Sequence, residues 1–323
     1  MTPTTKFSGI SVIIPAYNES KGLKKCIGKI AETLNISGFD WEIIVIDDGS
    51  RDQTYEQICC LSQVEPKIKG ISLSRNFGKE ATMLAGLEHA SGDAIIIMDA
   101  DLQHPPSLIP YMIDKWRTGT QIVHAVKRSR KEDSALKKSI VYCINQMISN
   151  LGGINVNNSS DFKLLDREIV DIIVHRLPEK ARFFRGLTSW LGFSEEYIFF
   201  DVVNRQNGKS KFCFLSLIEL SITALTSFTS MPLRVVTFFG VVTLILGFFI
   251  STDAIWSFIN GHSVSGYTTI VITLLLIGSF IMISLGIIGE YIAKIYEEVK
   301  ARPHYLVKAS VGVTSNKYAW VSP

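Results

Sequence analysis

The chain has little with which to cross-link itself. Its five cysteines (Cys26, Cys59, Cys60, Cys143 and Cys213) include no C-x-x-C pair. Their odd count and scatter exclude a disulfide framework and predict reduced thiols. The six histidines are equally dispersed, which leaves no recognisable spacing for a zinc site. The N-terminus, MTPTTKFSGISVIIPAYNES, offers one lysine and a short apolar run, so no secretory signal is expected. With 33 basic against 30 acidic residues the net charge is only +3, and no polycationic surface for nucleic acid is implied. Two phosphate-binding loops are also missing. NGKSK carries Gly-Lys-Ser, but Val203 stands where a P-loop needs its first glycine, and no G-x-G-x-x-G follows the first apolar segment.

The most informative scarcity is of charge late in the chain. Between residues 235 and 289 only Asp253 carries a formal charge. Two runs, 235–258 and 268–288, each approach the roughly 20 residues that cross a bilayer. Trp256, Tyr267 and Tyr291 stand near their ends as interfacial aromatics, and the linking INGHSVSGY has no Lys or Arg. Arg234, Lys294, Lys300 and Arg302 lie on the other side, which the positive-inside rule assigns to the cytoplasm together with both termini. FLSLIELSITALTSF (214–228), with Glu219 as its one acid, reads as a helix lying at the membrane surface. The expected organisation is a water-soluble domain over 1–212, a juxtamembrane amphipathic helix over 213–232, two transmembrane helices over 233–290 and a cytoplasmic tail over 291–323.

Residues 10–125 alternate between two kinds of segment. ISVIIP (10–15), WEIIVID (41–47), IKGISLS (68–74), AIIIMDA (94–100) and QIVHAV (121–126) are short and rich in Ile and Val, as strands buried on both faces of a parallel sheet are. Helical patterns fill 20–34, 52–63, 78–90 and 106–118, with prolines of HPPSLIPYMI placed where a first helical turn tolerates them. This alternation predicts an open α/β sheet. Polar residues gather where each strand ends: Pro15, Tyr17, Asn18 and Glu19; then Asp47, Asp48, Gly49 and Ser50; then Arg75, Asn76 and Gly78; then Asp99, Asp101 and Gln103. Any one of these is an ordinary solvated loop. Four in succession, on the rim where open α/β sheets bind ligands, predict a site.

In IIIMDADLQHPP two aspartates one residue apart end an apolar run with no base beside them. Asp99 and Asp101 suit a hard cation, Mg²⁺ or Mn²⁺, which takes one or two carboxylates and completes its shell from phosphate and water. D-x-D alone is a weak signal; its place after a strand and the second acidic pair at Asp47 and Asp48 strengthen it.

SVIIPAYNES, VIDDGSRD, SLSRNFGKEATMLAGLEHASGDAIIIMDADLQHPP and SDFKLLDRE together resemble the family-2 glycosyltransferases of GT-A fold. With RFFRGLTSWLGF, RQNGKSKF, the paired apolar runs and GEYIAKIYEEVKARPHY, the chain is similar to the polyisoprenyl-phosphate glycosyltransferases over about residues 10–307. Within them it looks like the bactoprenol (undecaprenyl-phosphate) glucosyltransferases of O-antigen modification, relatives of dolichyl-phosphate mannose synthase. The resemblance implies inverting transfer of glucose from UDP-glucose to undecaprenyl phosphate at a bacterial inner membrane, by a homo-oligomer such as a tetramer. It implies a uridine pocket of Pro15, Tyr17, Glu19, Asp47 and Asp48 with Arg75 nearby, Asp99 and Asp101 on the metal, and Gln103 close to sugar or metal. Asp161 matches a position discussed as catalytic base, joined in catalysis by Asp101 and Arg205. Lys211 and Arg128, with Lys127 and Arg130 as alternative counterparts, match residues that meet phosphates. Because an acceptor phosphate with a second pKa of about 6 is already largely anionic at pH 7, Asp161 is expected to orient substrate more than to abstract a proton.

Other donors (UDP-4-deoxy-4-formamido-arabinose, UDP-GlcNAc, GDP-mannose) remain open. A processive polysaccharide synthase lacks support, because the Q-x-x-R-W signature is missing and two spans form no obvious channel. A non-catalytic membrane scaffold would have no need of Asp47, Asp48, Asp99 and Asp101 together.

Overall fold

The computed structural model describes residues 9–101, 103–128, 160–177, 179, 184–200, 231–260 and 266–313. The chain divides into two compact units, Met1–Phe214 with Pro303–Pro323, and Leu215–Arg302. In the first unit the strands are β1 (Gly9–Ala16), β2 (Asp40–Asp47), β3 (Ile68–Leu73), β4 (Ala94–Ile97), β5 (Ile122–Lys127), β6 (Lys163–Asp166), β7 (Glu195–Phe200) and β8 (Val307–Val311). Its helices are α1 (Leu23–Ser37), α2 (Thr54–Val64), α3 (Lys79–His89), α4 (Ile109–Arg117), α5 (Arg167–His175) and α6 (Phe184–Trp190). The described strands form one sheet in the order β7-β5-β6-β4-β1-β2-β3-β8.

The centre of that sheet is parallel, as the uninterrupted Ile and Val runs predict. Ile13 on β1 is in register with Ile44 on β2 and with Ile97 on β4, and all three are buried. Alternate residues feed two apolar layers. Ile10, Val12 and Ile14 face Leu23, Ile27 and Ile30 of α1 and Met112 of α4. Ile13 and Ile46 face Met83, Leu84 and Leu87 of α3, with Ile169 of α5 and Phe184 of α6 in the same layer. Each such fully buried side chain contributes about 1.5–3 kcal/mol by leaving water. Gly86 lets α3 lie close to the sheet: a Cβ there would stand 2.3 Å from Ile13 Cγ2.

The sheet is mixed rather than wholly parallel. β6 runs antiparallel between β4 and β5, with Ile97 opposite Lys163, and β8 runs antiparallel along β3. Neither strand carries a strong sequence signal: KLLD is only four residues long, and β8 is a half-exposed alternating strand late in the chain. The fourth expected strand is shorter than 94–100, because the chain leaves the sheet after Ile97 to deliver Met98–Asp101 to the rim. The expected helix 106–118 is a 3-10 turn over Pro106–Leu108 followed by α4.

In the second unit the described helices are α7 (Met231–Ile259) and α8 (Tyr267–Val299), and Phe239 stacks on Phe280 between them at 5.8 Å. In α8 the 24-residue stretch Leu276–Val299 is long and apolar enough to cross a membrane; in α7 the apolar stretch Val236–Ile250 is shorter. The tail expected over 291–323 is divided: α8 continues to Val299, and Val307–Val311 is the edge strand of the first unit's sheet. The juxtamembrane helix expected over 213–232 lies almost wholly outside the described residues.

Candidate active site

Four parallel strands release their carboxyl ends on one rim, and the polar residues there are held in two different ways. After β1 the chain turns at Asn18, in the left-handed region at φ 56°. This loop is stapled to the one after β2: Asn18 N donates to Ser50 Oγ (2.9 Å), Arg51 N to Asn18 Oδ1 (2.9 Å), and Glu19 N to Thr54 Oγ1 (3.0 Å). Pro15 is half-buried at the end of β1, while Tyr17 stands 41% exposed at the mouth.

Asp47 and Asp48 are buried and engaged by the chain itself. Asp47 accepts from Ser50 N (3.0 Å) and Ser72 Oγ (2.8 Å); Asp48 accepts from Phe77 N (2.7 Å) and Gly78 N (3.0 Å) at the start of α3. Burial pushes the Asp48 carboxyl up; the two amides pull it down, and the nearby Asp47 charge adds to the upward push. Gly49 (φ 64°) permits this packing, since a Cβ there would lie 2.5 Å from the Arg75 carbonyl carbon. The Arg75 guanidinium covers the Phe77 ring at 4.2 Å. The five residues expected to form the uridine pocket, with Arg75, therefore lie on three loops that are bonded to one another.

The second group of charges is held by side chains. β6 is antiparallel to β4, so the start of β6 shares the rim with the end of β4, which brings Asp161 beside Asp99. Between them lies Lys79, the first residue of α3: its Nζ is 2.6 Å from Asp99 Oδ1 and 2.9 Å from Asp161 Oδ2. Arg185 of α6 holds Asp161 through both of its oxygens, Nε to Oδ1 at 2.6 Å and Nη2 to Oδ2 at 2.7 Å. Burial alone would push the Asp161 carboxyl up, but Arg185 and Lys79 outweigh it and hold the group far below the usual carboxylate range. Lys79 is likewise lowered by burial and raised, on balance, by the attraction of Asp161 and Asp99.

Behind these pairs lies a buried polar layer. Lys163, wholly buried, donates to the Phe184 carbonyl and to Thr188 Oγ1 (both 3.2 Å), and burial lowers it to about 8. Glu80 accepts from Phe184 N (3.2 Å), and burial raises it to about 7. The N-terminal turn of α6, and Arg185 with it, is thus fixed between α3 and β6.

Asp101 is exposed, and its Oδ1 accepts from Gln103 N (3.0 Å). Gln103 is buried and accepts from Lys127 Nζ (3.1 Å), which β5 carries to the same rim. The Arg128 amide donates to Phe200 O (2.9 Å), and its side chain is exposed. Arg130, Arg205 and Lys211 lie outside the described residues. His104 is buried against Phe162 (5.1 Å) and Phe200 (5.9 Å), which lowers it to about 4 and keeps it neutral at pH 7. Its Nδ1, buried and without a hydrogen-bond partner among the described residues, is 4.0 Å from Asp99 Oδ2.

A divalent cation fits this donor set. Asp99 and Asp101 offer hard oxygen ligands on one rim, two carboxylates of the kind such a cation takes, although among the described residues no group of three or more His, Cys, Asp or Glu is placed to hold a metal ion by itself. Such a site is complete only when substrate oxygens join it. Lys79, Arg185, His104 and the buried Glu80 and Lys163 have no role in the sequence reading. NFGKE and RFFRG contain the first two, but a lone base within a motif gives no signal of its partner.

The family model for glycosyl transferase family 2 matches residues 11–173, which span Asp47, Asp99, Asp101 and Asp161. An uncharacterized glycosyltransferase of Synechocystis sp. is 39% identical over 300 residues, covering 92% of this chain and 94% of its own. A SfII prophage-derived bactoprenol glucosyl transferase of Shigella flexneri is 35% identical over 306 residues, covering 93% and 98%. Among solved structures, glucosyl-3-phosphoglycerate synthase of Mycobacterium tuberculosis in complex with UDP aligns with a TM-score of 0.46 at 19% identity, covering 68% of this chain and 79% of that one. With half of its length matched by the family model and nearly all of it by relatives above 30% identity, this chain belongs to glycosyl transferase family 2.

Proposed function

We propose that the protein transfers glucose from UDP-glucose to undecaprenyl phosphate, releasing UDP with inversion at the anomeric carbon. The observation that carries this reading is the meeting of Asp99 and Asp161 across Lys79 on a rim that also holds Asp101. The full-length similarity to a bactoprenol glucosyl transferase supports the acceptor and the sugar. Asp99 and Asp101 would hold Mg²⁺ or Mn²⁺ against the donor diphosphate, where a bound cation neutralises the charge gathering on the leaving UDP.

An acceptor phosphate oxygen attacks C1 of the sugar, and the C1–oxygen bond to the β-phosphate breaks with its electron pair leaving on UDP. The acceptor is already largely anionic at pH 7, so the step needs no strong base. Asp161 suits that demand. A carboxylate held far below its usual range by Arg185 and Lys79 is a poor proton acceptor and a firm anchor. It fixes two cations beside the place where charge moves, and pre-placed charge is usually the largest single contribution to such transfers. Lys127, Arg128, Arg205 and Lys211 complete the reading as partners of donor or acceptor phosphates, while Tyr17, Pro15, Glu19, Asp47, Asp48 and Arg75 frame the nucleotide. Gln103, bonded to Lys127, would sit close to the sugar or the metal.

The acceptor's polyprenyl chain stays in the bilayer. In this reading α7 and α8 both cross it, with the catalytic domain and both termini on the cytoplasmic side, and the working unit is a homo-oligomer such as a tetramer. Arg234, Lys294, Lys300 and Arg302 against a link without Lys or Arg support the orientation.

The test is transfer of radiolabelled sugar into extractable lipid, with membranes, undecaprenyl phosphate, Mn²⁺ or Mg²⁺, and UDP-glucose or a rival donor. Label from UDP-glucose that is abolished by EDTA and by Asp99→Ala is the expected result. Label from UDP-GlcNAc, the formamido-arabinose donor or GDP-mannose would keep the chemistry and replace the sugar. Absence of label from every donor would overturn the reading.

A further inference from the structure

Lys79 stands where a metal-dependent site would not obviously want a cation. Its ammonium bridges Asp99, read above as a metal ligand, and Asp161, which already has Arg185 on both oxygens. Asp161 thus has two cationic partners, while the described charge partner of Asp99 at hydrogen-bond distance is Lys79. His104, its other neighbour, is buried among aromatic rings. Position also matters: Lys79 opens α3, whose start is locked by the two amide bonds to Asp48 and whose packing on β1 is locked by Gly86. The lysine stem therefore leaves a rigid base, while its side chain remains 39% exposed and able to move.

We propose that Lys79 is a resident counter-ion of the donor site, which a divalent cation must displace from Asp99 and which then turns its charge to the donor diphosphate. Three carboxylates (Asp99, Asp101, Asp161) share the rim with three cations (Lys79, Arg185 and, bonded to Gln103, Lys127). A bare divalent cation arriving alone meets the repulsion of Lys79 and must break a 2.6 Å ion pair. A cation arriving with a nucleoside diphosphate brings anionic oxygens that give Lys79 a new partner. Lys79 thus opposes the metal and favours the diphosphate, so that the two bind well only together. Without donor, the site stays closed to stray cations.

This inference rests on Asp99 and Asp101 as metal ligands, and its test separates the two. Binding is measured on the full-length detergent-solubilised protein, Mn²⁺ by loss of the free-ion EPR signal and UDP by calorimetry. In Lys79→Met, Mn²⁺ alone should bind about tenfold more tightly than in wild type, while UDP in EDTA should bind about fivefold more weakly. Lys79→Arg, which keeps the charge, should stay near wild type in both. Damage to the fold would weaken both ligands, so the opposite signs are the signature. Unchanged or weaker Mn²⁺ binding in Lys79→Met, with wild type binding normally, overturns the role of Lys79 alone. Failure of wild type to bind Mn²⁺ even with UDP overturns the metal reading of Asp99 and Asp101, and this inference with it.

Discussion

Two acidic pairs sit on the same rim and are treated in opposite ways. Asp47 and Asp48 are 2% and 4% exposed, and they accept from backbone amides and a serine hydroxyl. Asp99 and Asp161 are less deeply buried and are neutralised by side chains: Arg185 is fixed on both Asp161 oxygens, and Lys79, which bridges the two acids, has some freedom to exchange partners. Backbone donors cannot leave without unfolding a loop; side-chain cations can. The first pair therefore builds the loops, and the second has the means to exchange its partners for a ligand.

The largest effect should follow from breaking the group held by side chains. Arg185→Met should lower kcat by about 100- to 1000-fold, because a fixed charge beside the reacting phosphates is lost and Asp161 is left with Lys79 alone. Asp161→Asn should fall nearly as far, with UDP binding retained. Wild-type kcat should show no acid limb from Asp161 between pH 5 and 8, since the carboxyl titrates far below that window. Steady-state pH profiles of lipid-linked product check both statements. A base-type limb that vanishes in Asp161→Asn would make Asp161 a proton acceptor after all.

Asp48→Ala tests the other side of the comparison. It removes the acceptor for Phe77 N and Gly78 N and leaves two partly buried amides unsatisfied, which should cost about 2–4 kcal/mol of stability. Chemical denaturation followed by tryptophan fluorescence reads the loss. Activity at a temperature where the variant is folded should fall much less than in Arg185→Met. If the reverse holds, Asp48 meets the nucleotide directly and its amide bonds are secondary.

How much of this was legible follows the same division. The strands β1 to β5 were readable because burial on both faces demands continuous Ile and Val, and the D-x-D pair because an acid after such a run is conspicuous. β6 and β8 were not, since an antiparallel strand of four or five residues takes its identity from its neighbours in the sheet. Asp161 was placed by family resemblance alone. Lys79 and Arg185 were missed because they lie 82 and 24 residues from Asp161 and meet it only through the antiparallel turn of β6 and the docking of α6. Motif reading finds acids at strand tips; it does not find the bases that the rest of the fold brings to them.

A smaller effect, dependent on pH, should come from Glu80. Its folded value of about 7 lies above the ordinary carboxylate range, because burial disfavours the charge. Between the two values the folded state binds more protons than the unfolded one, so stability is fully present below the unfolded value and declines as pH rises through about 7. Glu80→Gln keeps an acceptor for Phe184 N and cannot ionise. Relative to wild type it should gain about 2–3 kcal/mol between pH 5 and pH 8 in parallel denaturation series. An equal difference at both pH values would mean that Glu80 is ionised throughout, held so by Arg185 and Lys163.

The smallest effect is the control that gives the comparison its meaning. Lys67 pairs with Asp40 at 2.7 Å, a geometry as good as that of Lys79 with Asp99, but the two side chains are 44% and 51% exposed. Lys67→Met should change stability by about 0.5 kcal/mol or less, and less still at high salt, because water and ions replace what is removed. Two residues on, Lys69 reaches Glu42 at 2.5 Å, and that carboxylate is 3% exposed and also accepts from Ser11 and Ser91. Lys69→Met strands a buried charge and should cost several times more. If Lys67→Met proves as damaging as Lys69→Met, close contact alone sets the strength of these pairs and exclusion of water does not. Partial exclusion of water could then not be what makes the Lys79 bridge strong enough to oppose a metal yet open enough to release it.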